Sequence, residues 1–259
     1  MPPSIRHHSF SCGEFELYYQ PLINLSDDTI ISCEALLRWH HRERGLISPA
    51  EFIPIAEETG LIIPPGEWVL KTACAEAATW PDDVKVAVNV SPVQIKSESL
   101  ALTVISALAA SGLPARRLEL EITETVLIHD YKAALVKLSQ LRELGVRIAM
   151  DDFGTGYSSL SYVQHFPLDK IKIDRSFITN LASNDGSFAI VQAVVTIAKS
   201  RNIVTVAEGV ETEQQLGLLR TLGCTEMQGY LFSRPVPAQE ILRFFPPHAQ
   251  RAEDAASAA

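Results

Sequence analysis

The chain has 259 residues, of which 47% are hydrophobic and 20% charged, a composition typical of a globular protein with a substantial core. This length can hold two small domains or one large α/β barrel. The formal net charge of −9 disfavours a polymeric nucleic acid as partner, because binding to such a polymer relies on clustered Lys and Arg. A small phosphorylated ligand remains compatible with this charge, since bound metal ions can neutralise it locally.

The cysteines, Cys12, Cys33, Cys74 and Cys224, contain no C-x-x-C pair and indicate neither a zinc site nor a disulfide framework. Reduced thiols are typical of a cytosolic protein. No apolar run reaches the roughly 18 residues that a membrane span needs, and Met1–Phe10 lacks the apolar core of a signal peptide. We therefore predict a cytoplasmic location without a direct membrane span. The chain could still be one domain of a larger, even membrane-anchored, protein.

Short segments rich in Val, Ile and Leu alternate with helical patterns along the chain. The predicted strands are Phe15–Leu25, Ile30–His40, Val84–Val90, Leu118–Thr123, Arg147–Asp152, Lys170–Asp174, Val204–Glu208 and Glu226–Gly229. Only a short turn at Asp27–Asp28 separates the first two strands, which predicts an antiparallel hairpin. The later alternation of strand and helix predicts parallel pairing with right-handed crossovers. The predicted fold class is α/β, a modified (β/α)8 TIM-type barrel with an antiparallel first strand.

Two helices carry clear local signals. Ser48, Pro49 and Glu51 predict a helix start, with a cap, a first-turn proline and a first-turn acid. A later helix is predicted from the three-residue spacing of buried leucines at Leu135, Leu138, Leu141 and Leu144. Gly145 follows at the position expected for its C-terminal cap.

Polar residues fall near the C-terminal end of nearly every predicted strand. They are Glu34 and Arg38 on the second strand, Asn89 on the third, Glu121 on the fourth, Asp151 and Asp152 on the fifth, Lys172 and Asp174 on the sixth, Glu208 on the seventh and Gln228 on the eighth. Side chains two residues apart on a strand share a face, so Glu119, Glu121 and Thr123 are predicted to point into the barrel, opposite Leu118, Leu120 and Ile122. Active sites of such barrels form at this C-terminal rim.

Six of these residues would form an oxygen-rich, anionic cluster: Glu34, Asn89, Glu121, Asp151, Asp152 and Glu208. Like-charge repulsion would destabilise the cluster without cations. Oxygen ligands without Cys or His suit Mg²⁺ or Mn²⁺ rather than zinc, and so many carboxylates indicate two ions, which commonly cleave phosphate esters. Any single member could instead be half of a structural ion pair.

The motifs extend this pattern over residues 12–246. They are Y-Y-Q-P-L at 18–22, E-A-L-L-R-W at 34–39, N-V-S at 89–91, E-I-T-E at 121–124, D-D-F-G-T-G-Y-S-S-L at 151–160, K-I-D-R at 172–175, A-E-G-V-E at 207–211 and Q-G-Y at 228–230. In this order they resemble the EAL-domain phosphodiesterases specific for cyclic di-GMP. The domain would then cover 12–246, preceded by an extension or linker at 1–11 and followed by a flexible tail at 247–259.

The resemblance implies metal-dependent hydrolysis of cyclic di-GMP to linear 5′-pGpG. It implies metal ligands at Glu34, Asn89, Glu121, Asp151, Asp152 and Glu208, and catalytic roles for Lys172, Glu208, Glu211 and Glu124, where Lys172 holds the attacking water and Glu124 anchors the loop after Asp152. It implies substrate contacts from Gln20, Leu36, Arg38, Asp174 and Gln228, with Gln228 also ordering waters at the metal site. Two Mg²⁺ or Mn²⁺ ions would be needed, and Ca²⁺ would inhibit because its looser coordination misplaces the water.

The resemblance also implies a homodimer, formed through the loop Phe153–Ser158 and the helix Ser158–His165, and permits an upstream sensory or GGDEF-type domain. Two other functions stay open. The barrel could be a non-catalytic receptor for cyclic di-GMP, although such relatives normally lack one or more metal ligands and none is missing at the matched positions here. The metal cluster alone would also fit another barrel phosphohydrolase with a different substrate.

Overall fold

The computed structural model describes residues 13–126, 131–154, 166–183 and 185–245. Its strands are β1 (Phe15–Asn24), β2 (Ile30–His41), β3 (Gly45–Ile47), β4 (Lys85–Asn89), β5 (Leu118–Thr123), β6 (Arg147–Phe153), β7 (Lys170–Ile173), β8 (Val204–Ala207), β9 (Glu226–Met227) and β10 (Val236–Pro237). Its helices are α1 (Pro49–Glu58), α2 (Ile63–Ala77), α3 (Pro92–Lys96), α4 (Leu100–Ser111), α5 (Tyr131–Glu143), α6 (Arg175–Thr179), α7 (Asp185–Ser200), α8 (Glu213–Leu222) and α9 (Ala238–Ile241). Two 3₁₀ turns lie at Ala115–Arg117 and Leu242–Phe244.

Eight of these strands close into a barrel. The order is β1-β9-β8-β7-β6-β5-β4-β2, and β2 pairs back onto β1. Strand β1 is antiparallel to both neighbours, whereas the pairs from β2 through β9 are parallel. The predicted modified (β/α)8 barrel with an antiparallel first strand is confirmed.

Two short strands depart from the predicted strand–helix alternation. Strand β3 pairs antiparallel with β2 before the first helix. Strand β10 pairs antiparallel with β1 at Tyr18 and Tyr19. Ile47 of β3 is buried in an apolar cluster whose rings Phe15 and Trp39 stack at 5.5 Å between centroids. Tertiary packing therefore stabilises a strand too short to be recognised by its own pattern.

The helix signals are confirmed in outline. α1 begins at Pro49, but Ser48 makes no side-chain hydrogen bond to the helix. On α5, Leu138 and Leu141 are fully buried, whereas Leu144 is 41% exposed because it lies beyond the last helical turn. Gly145 adopts a positive φ of 91° after the helix, as a C-terminal cap requires.

The barrel interior holds two tiers of ion pairs. On β5, Leu118, Leu120 and Ile122 are fully buried, while the intervening glutamates contact lysines of β7. In the lower tier, Lys170 Nζ lies 2.8 Å from Glu119 and 2.9 Å from Glu226. In the upper tier, Lys172 contacts Glu121. The alternation therefore places charge inside the barrel, as predicted.

Replacing Lys170 with methionine is expected to destabilise the fold by about 3–5 kcal/mol, because it leaves Glu119 and Glu226 buried without their cation. Urea unfolding of the parent and the variant measures this difference. The same substitution at Lys199, which is exposed on α7, should change stability by less than about 0.5 kcal/mol. Equal losses in the two variants would contradict the structural role of the lower tier.

Among the described residues, no helix combines the length and the apolar character needed to cross a membrane.

Candidate active site

Lys172 lies at the centre of the barrel's C-terminal rim. Its ammonium group is 2.8 Å from Glu208, 2.9 Å from Glu121, 3.1 Å from Asp151 and 3.3 Å from Glu34. These carboxylates come from four different strand ends, so the barrel closure itself brings them together. The side chain of Lys172 is only 1% exposed, which shields these attractions from water.

A chain of amides fixes Glu34. Asn89 donates to Glu34 Oε1 at 2.7 Å, and Gln228 donates to Glu34 Oε2 at 2.8 Å. Gln228 also donates to Gln20 at 3.0 Å, and Gln20 in turn donates to the carbonyl of Ser233 at 3.1 Å. Because Asn89 uses its Nδ2 in this contact, its carbonyl oxygen remains as the potential metal ligand.

The charge of the upper tier fits two divalent cations. Five carboxylates, Glu34, Glu121, Asp151, Asp152 and Glu208, stand against the single ammonium of Lys172, which leaves five minus one, or four, formal negative charges. Oxygens of Asp151, Asp152 and Glu208 lie within 4.8 Å of one another. Oε1 of Glu121 and Oδ1 of Asp151 are both buried; the first accepts no hydrogen bond from the described residues, and the second lies 3.1 Å from Lys172 Nζ. Such oxygens suit a hard cation.

The turn after β6 carries strained backbone. Asp152, a non-glycine residue, has a φ of +52°, and Gly154 has a φ of +102°. The backbone N–H of Gly154 donates to Glu124 Oε1 at 2.9 Å, so Glu124 contacts the start of this loop. Strain of this kind persists only where the surrounding structure holds it, and it concentrates at functional sites. The predicted dimer helix Ser158–His165 lies outside the described residues.

Burial and crowding shift the pKa values of the acids in different directions. Burial next to Glu34 and Asp151 holds the pKa of Glu121 well above its usual range. Burial together with Asp151 and Asp174 raises the pKa of Asp152. Burial opposes ionisation of Glu34, yet Lys172, Gln228 and Asn89 lower its pKa. The carboxylates around Lys172 likewise raise the pKa of Lys172 despite its burial, so this residue stays charged at neutral pH.

Metal-free protein is expected to lose stability as pH rises from about 4.5 to about 8. Burial, Asp151 and Glu34 raise the pKa of Glu208 from 4.5 to about 8. Because folded Glu208 then binds its proton more tightly than the unfolded chain does, its contribution is complete below pH 4.5 and lost above pH 8. Thermal unfolding in EDTA should show the fall, and Glu208→Gln should reduce its slope. Parallel curves for parent and variant would contradict the assignment.

Two cavities open beside the cluster and share Leu36. One, of about 350 Å³, is walled mainly by polar residues and two glycines: Gln20, Glu34, Asp152, Asp174, Arg175, Thr179, Glu208, Gly209, Glu211, Gln228, Gly229 and Tyr230. The other, of about 460 Å³, is mainly apolar and includes Arg38, Asn89 and Glu121. A ligand lying over the cluster could therefore extend into both.

Arg38 stands apart from the predicted site residues in the polar cavity. It lines the apolar cavity, donates to the carbonyl of Leu37 at 3.0 Å and lies 5.3 Å above the ring of Tyr18. Burial lowers its pKa. Most other predicted residues surround Lys172 or line the polar cavity, whereas Asn89 lines the apolar cavity and donates to Glu34, and Glu124 contacts the loop start.

Sequence reasoning missed Tyr230, Arg175 and Thr179 in the wall of the polar cavity. Tyr230 belongs to the Q-G-Y motif, so an aromatic residue directly after Gln228 was an available signal. Arg175 follows Asp174 directly and was available in the same way. Thr179 reaches the cavity only because α6 follows β7 at once, which its sequence position does not reveal.

The fold and the site define a barrel protein with a carboxylate-rich centre at its C-terminal rim. The EAL domain family model matches residues 5–235, and the chain belongs to this family. It is 53% identical over 242 residues to the uncharacterised protein y4lL of Sinorhizobium fredii, covering 93% of this chain and 29% of that protein.

A second relative, MucR of Pseudomonas aeruginosa, is named a bifunctional diguanylate cyclase/cyclic di-GMP phosphodiesterase. It is 46% identical over 230 residues, which cover 87% of this chain and 34% of that protein. The solved structure of the PaMucR phosphodiesterase in its c-di-GMP complex is 44% identical, with a TM-score of 0.86, and covers 90% of this chain and 96% of that chain. This chain spans about a third of the length of these two curated relatives.

Proposed function

We propose that this chain hydrolyses cyclic di-GMP to linear 5′-pGpG with the help of two divalent metal ions, Mg²⁺ or Mn²⁺. One observation carries the proposal: four carboxylates from different strand ends converge on Lys172, with Asp152 close to two of them, beside a polar cavity. A purely structural ion-pair network would not need five carboxyl groups for one ammonium at a solvent-accessible rim.

The proposed metal ligands fall into two groups. Glu34, Asn89, Glu121 and Asp151 would hold one ion, and Asp151 would share the second with Asp152 and Glu208. When bound, two such ions supply a water that is acidic enough to act near neutral pH and positive charge opposite the phosphoryl oxygens. The unpartnered Oε1 of Glu121 supports this assignment.

The chain's own residues would position the reaction. Lys172 is held at the rim by its four carboxylates, and its ammonium would orient the attacking water. Gln20, Leu36 and Asp174 would line the substrate cleft, and Arg38 would reach a phosphate from the neighbouring cavity. Glu124 would keep the loop after Asp152 in place through Gly154. Gln228 would order waters near Glu34.

The names of relatives support this substrate. MucR is named for diguanylate cyclase and cyclic di-GMP phosphodiesterase activities, and the PaMucR phosphodiesterase structure contains c-di-GMP. The segment matched in MucR is about a third of that protein. An upstream sensory or GGDEF-type domain, a homodimer and a cytoplasmic location remain proposals for this chain. The free, buried thiols of Cys33, Cys74 and Cys224 are compatible with a reducing compartment.

Turnover is expected to require Mg²⁺ or Mn²⁺ and to stop in EDTA or Ca²⁺. Ca²⁺ binds oxygen ligands at 2.3–2.6 Å, against about 2.0–2.1 Å for Mg²⁺, and therefore holds a water in a different place. Chromatography of cyclic di-GMP incubated with the purified chain measures the conversion, and mass spectrometry identifies pGpG. Equal turnover in EDTA and in Mn²⁺ would rule out the metal-dependent mechanism.

A further inference from the structure

Gln215 of α8 connects two parts of the rim through a buried side chain. Its Oε1 accepts hydrogen bonds from the backbone N–H groups of Glu211 at 2.8 Å and Thr212 at 3.0 Å. Its Nε2 donates to the carbonyl of Ile178 in α6 at 3.1 Å. Gln215 is only 8% exposed, so these bonds do not compete with bulk water. One amide therefore ties the segment that carries Glu211 to a helix on the neighbouring strand end.

Helix α6 packs between two loops of the site. A Cβ at Gly154 would lie 2.6 Å from the ring of Phe177, and a Cβ at Gly209 would lie 2.6 Å from Cβ of Arg175. Both glycines have positive φ, +102° and +66°. The helix thus packs closely against the turn after Asp152 and against the residue that follows Glu208, and it offers a rigid anchor for the tether from Gln215.

Glu211 depends on its backbone for its position. Its side chain lines the polar cavity, yet its carboxylate forms no hydrogen bond or ion pair with the described residues. The bond from the Glu211 N–H to Gln215 therefore helps fix the main chain from which this carboxylate projects, beside the backbone bonds that Val210 makes to Gln228 and Leu231.

We propose that Gln215 is a positioning residue that holds Glu211 at the wall of the cleft during hydrolysis. The proposal rests on the proposed function and adds a residue to it. Gln215 touches neither the cluster around Lys172 nor the cavity, so it acts through Glu211 and α6.

Gln215→Met removes the tether and keeps a side chain of similar length. Thr212→Ala is the matched control, because Thr212 Oγ1 accepts from the backbone N–H of Gln215 at 3.2 Å and completes the same capping box. The control weakens the start of α8 but leaves Gln215 Oε1 bound to Glu211. Both variants should lower Tm by a few degrees.

Kinetics then separate positioning from stability. Gln215→Met should lower kcat about 10- to 100-fold with little change in KM, whereas Thr212→Ala should keep the parent kcat. In a Glu211→Ala background, Gln215→Met should cause little further loss, since its effect passes through Glu211. Equal kcat values in the two single variants, or full additivity with Glu211→Ala, would overturn the proposal.

Amide hydrogen exchange tests the tether without turnover. In Gln215→Met, exchange at the amides of Glu211 and Thr212 should become faster. In Thr212→Ala, exchange at the Glu211 amide should keep the parent rate. Unchanged exchange in Gln215→Met would overturn the tether itself. A parent that shows slow exchange but no turnover of cyclic di-GMP would contradict the proposed function, and with it the catalytic role of Gln215, while leaving the tether standing.

Discussion

Lys172→Met is expected to lower kcat on cyclic di-GMP by about 100- to 1,000-fold and to destabilise the metal-free fold by about 3–5 kcal/mol. The ammonium group contacts Glu34, Glu121, Asp151 and Glu208, so its loss leaves those carboxylates buried without a cation. It also removes the donor that would orient the attacking water. Steady-state kinetics and urea unfolding in EDTA measure the two effects.

Divalent metal should separate these effects. Because the cluster's excess negative charge grows when Lys172 is lost, saturating Mn²⁺ should recover much of the stability of Lys172→Met but not its kcat. Lys132→Met on the exposed face of α5 is the control and should match the parent in both measurements. A variant at Lys172 that retained the parent kcat would show that this residue is structural only.

Glu34→Gln is the second substitution expected to have a large effect, lowering kcat by about 100- to 1,000-fold while the barrel stays folded. The substitution is isosteric but removes a charge that Lys172 contacts. In the parent, Asn89 donates to one carboxylate oxygen of Glu34 and Gln228 donates to the other. The glutamine amide replaces one of these acceptors with a second donor. Kinetics and a Mn²⁺ titration followed by electron paramagnetic resonance measure the losses in turnover and in metal affinity.

Glu16→Gln is the matched control for Glu34→Gln. Glu16 lies on β1, the strand paired with β2, but it is partly exposed and contacts His40 at the surface. Its replacement should leave kcat and Mn²⁺ affinity unchanged, since exposed ion pairs contribute little. Unaltered Mn²⁺ affinity in Glu34→Gln would mean that Glu34 is not a metal ligand.

The central geometry was predictable because it follows from strand parity and strand direction. Glu121 and Lys172 lie on strands whose alternate residues are apolar, which places both inside the barrel. Parallel strands end at one rim, so the polar residues at successive strand ends had to meet there. Closure of β1 onto β9 as well as β2 completes the barrel that the series of eight strands predicted.

The remaining features depend on tertiary contacts that no local pattern encodes. Ile47 holds the three-residue β3 in place by packing near Trp39. Glu226 could be recognised as a partner of Lys170 only once β8 and β9 were adjacent. Gln215 looks like half of a capping box in the sequence, and its bond to Ile178 joins residues 37 positions apart. Arg38 shares a strand with Glu34, yet it lines a different cavity.

The most direct test compares binding and turnover of cyclic di-GMP by the same purified chain. Calorimetry in Ca²⁺ measures affinity, and chromatography in Mg²⁺ or Mn²⁺ measures conversion to pGpG, for the parent and for Glu34→Ala. We expect the parent to bind and to convert the ligand and Glu34→Ala to lose conversion. Tight binding by the parent without conversion in either metal would contradict the account and identify the barrel as a receptor.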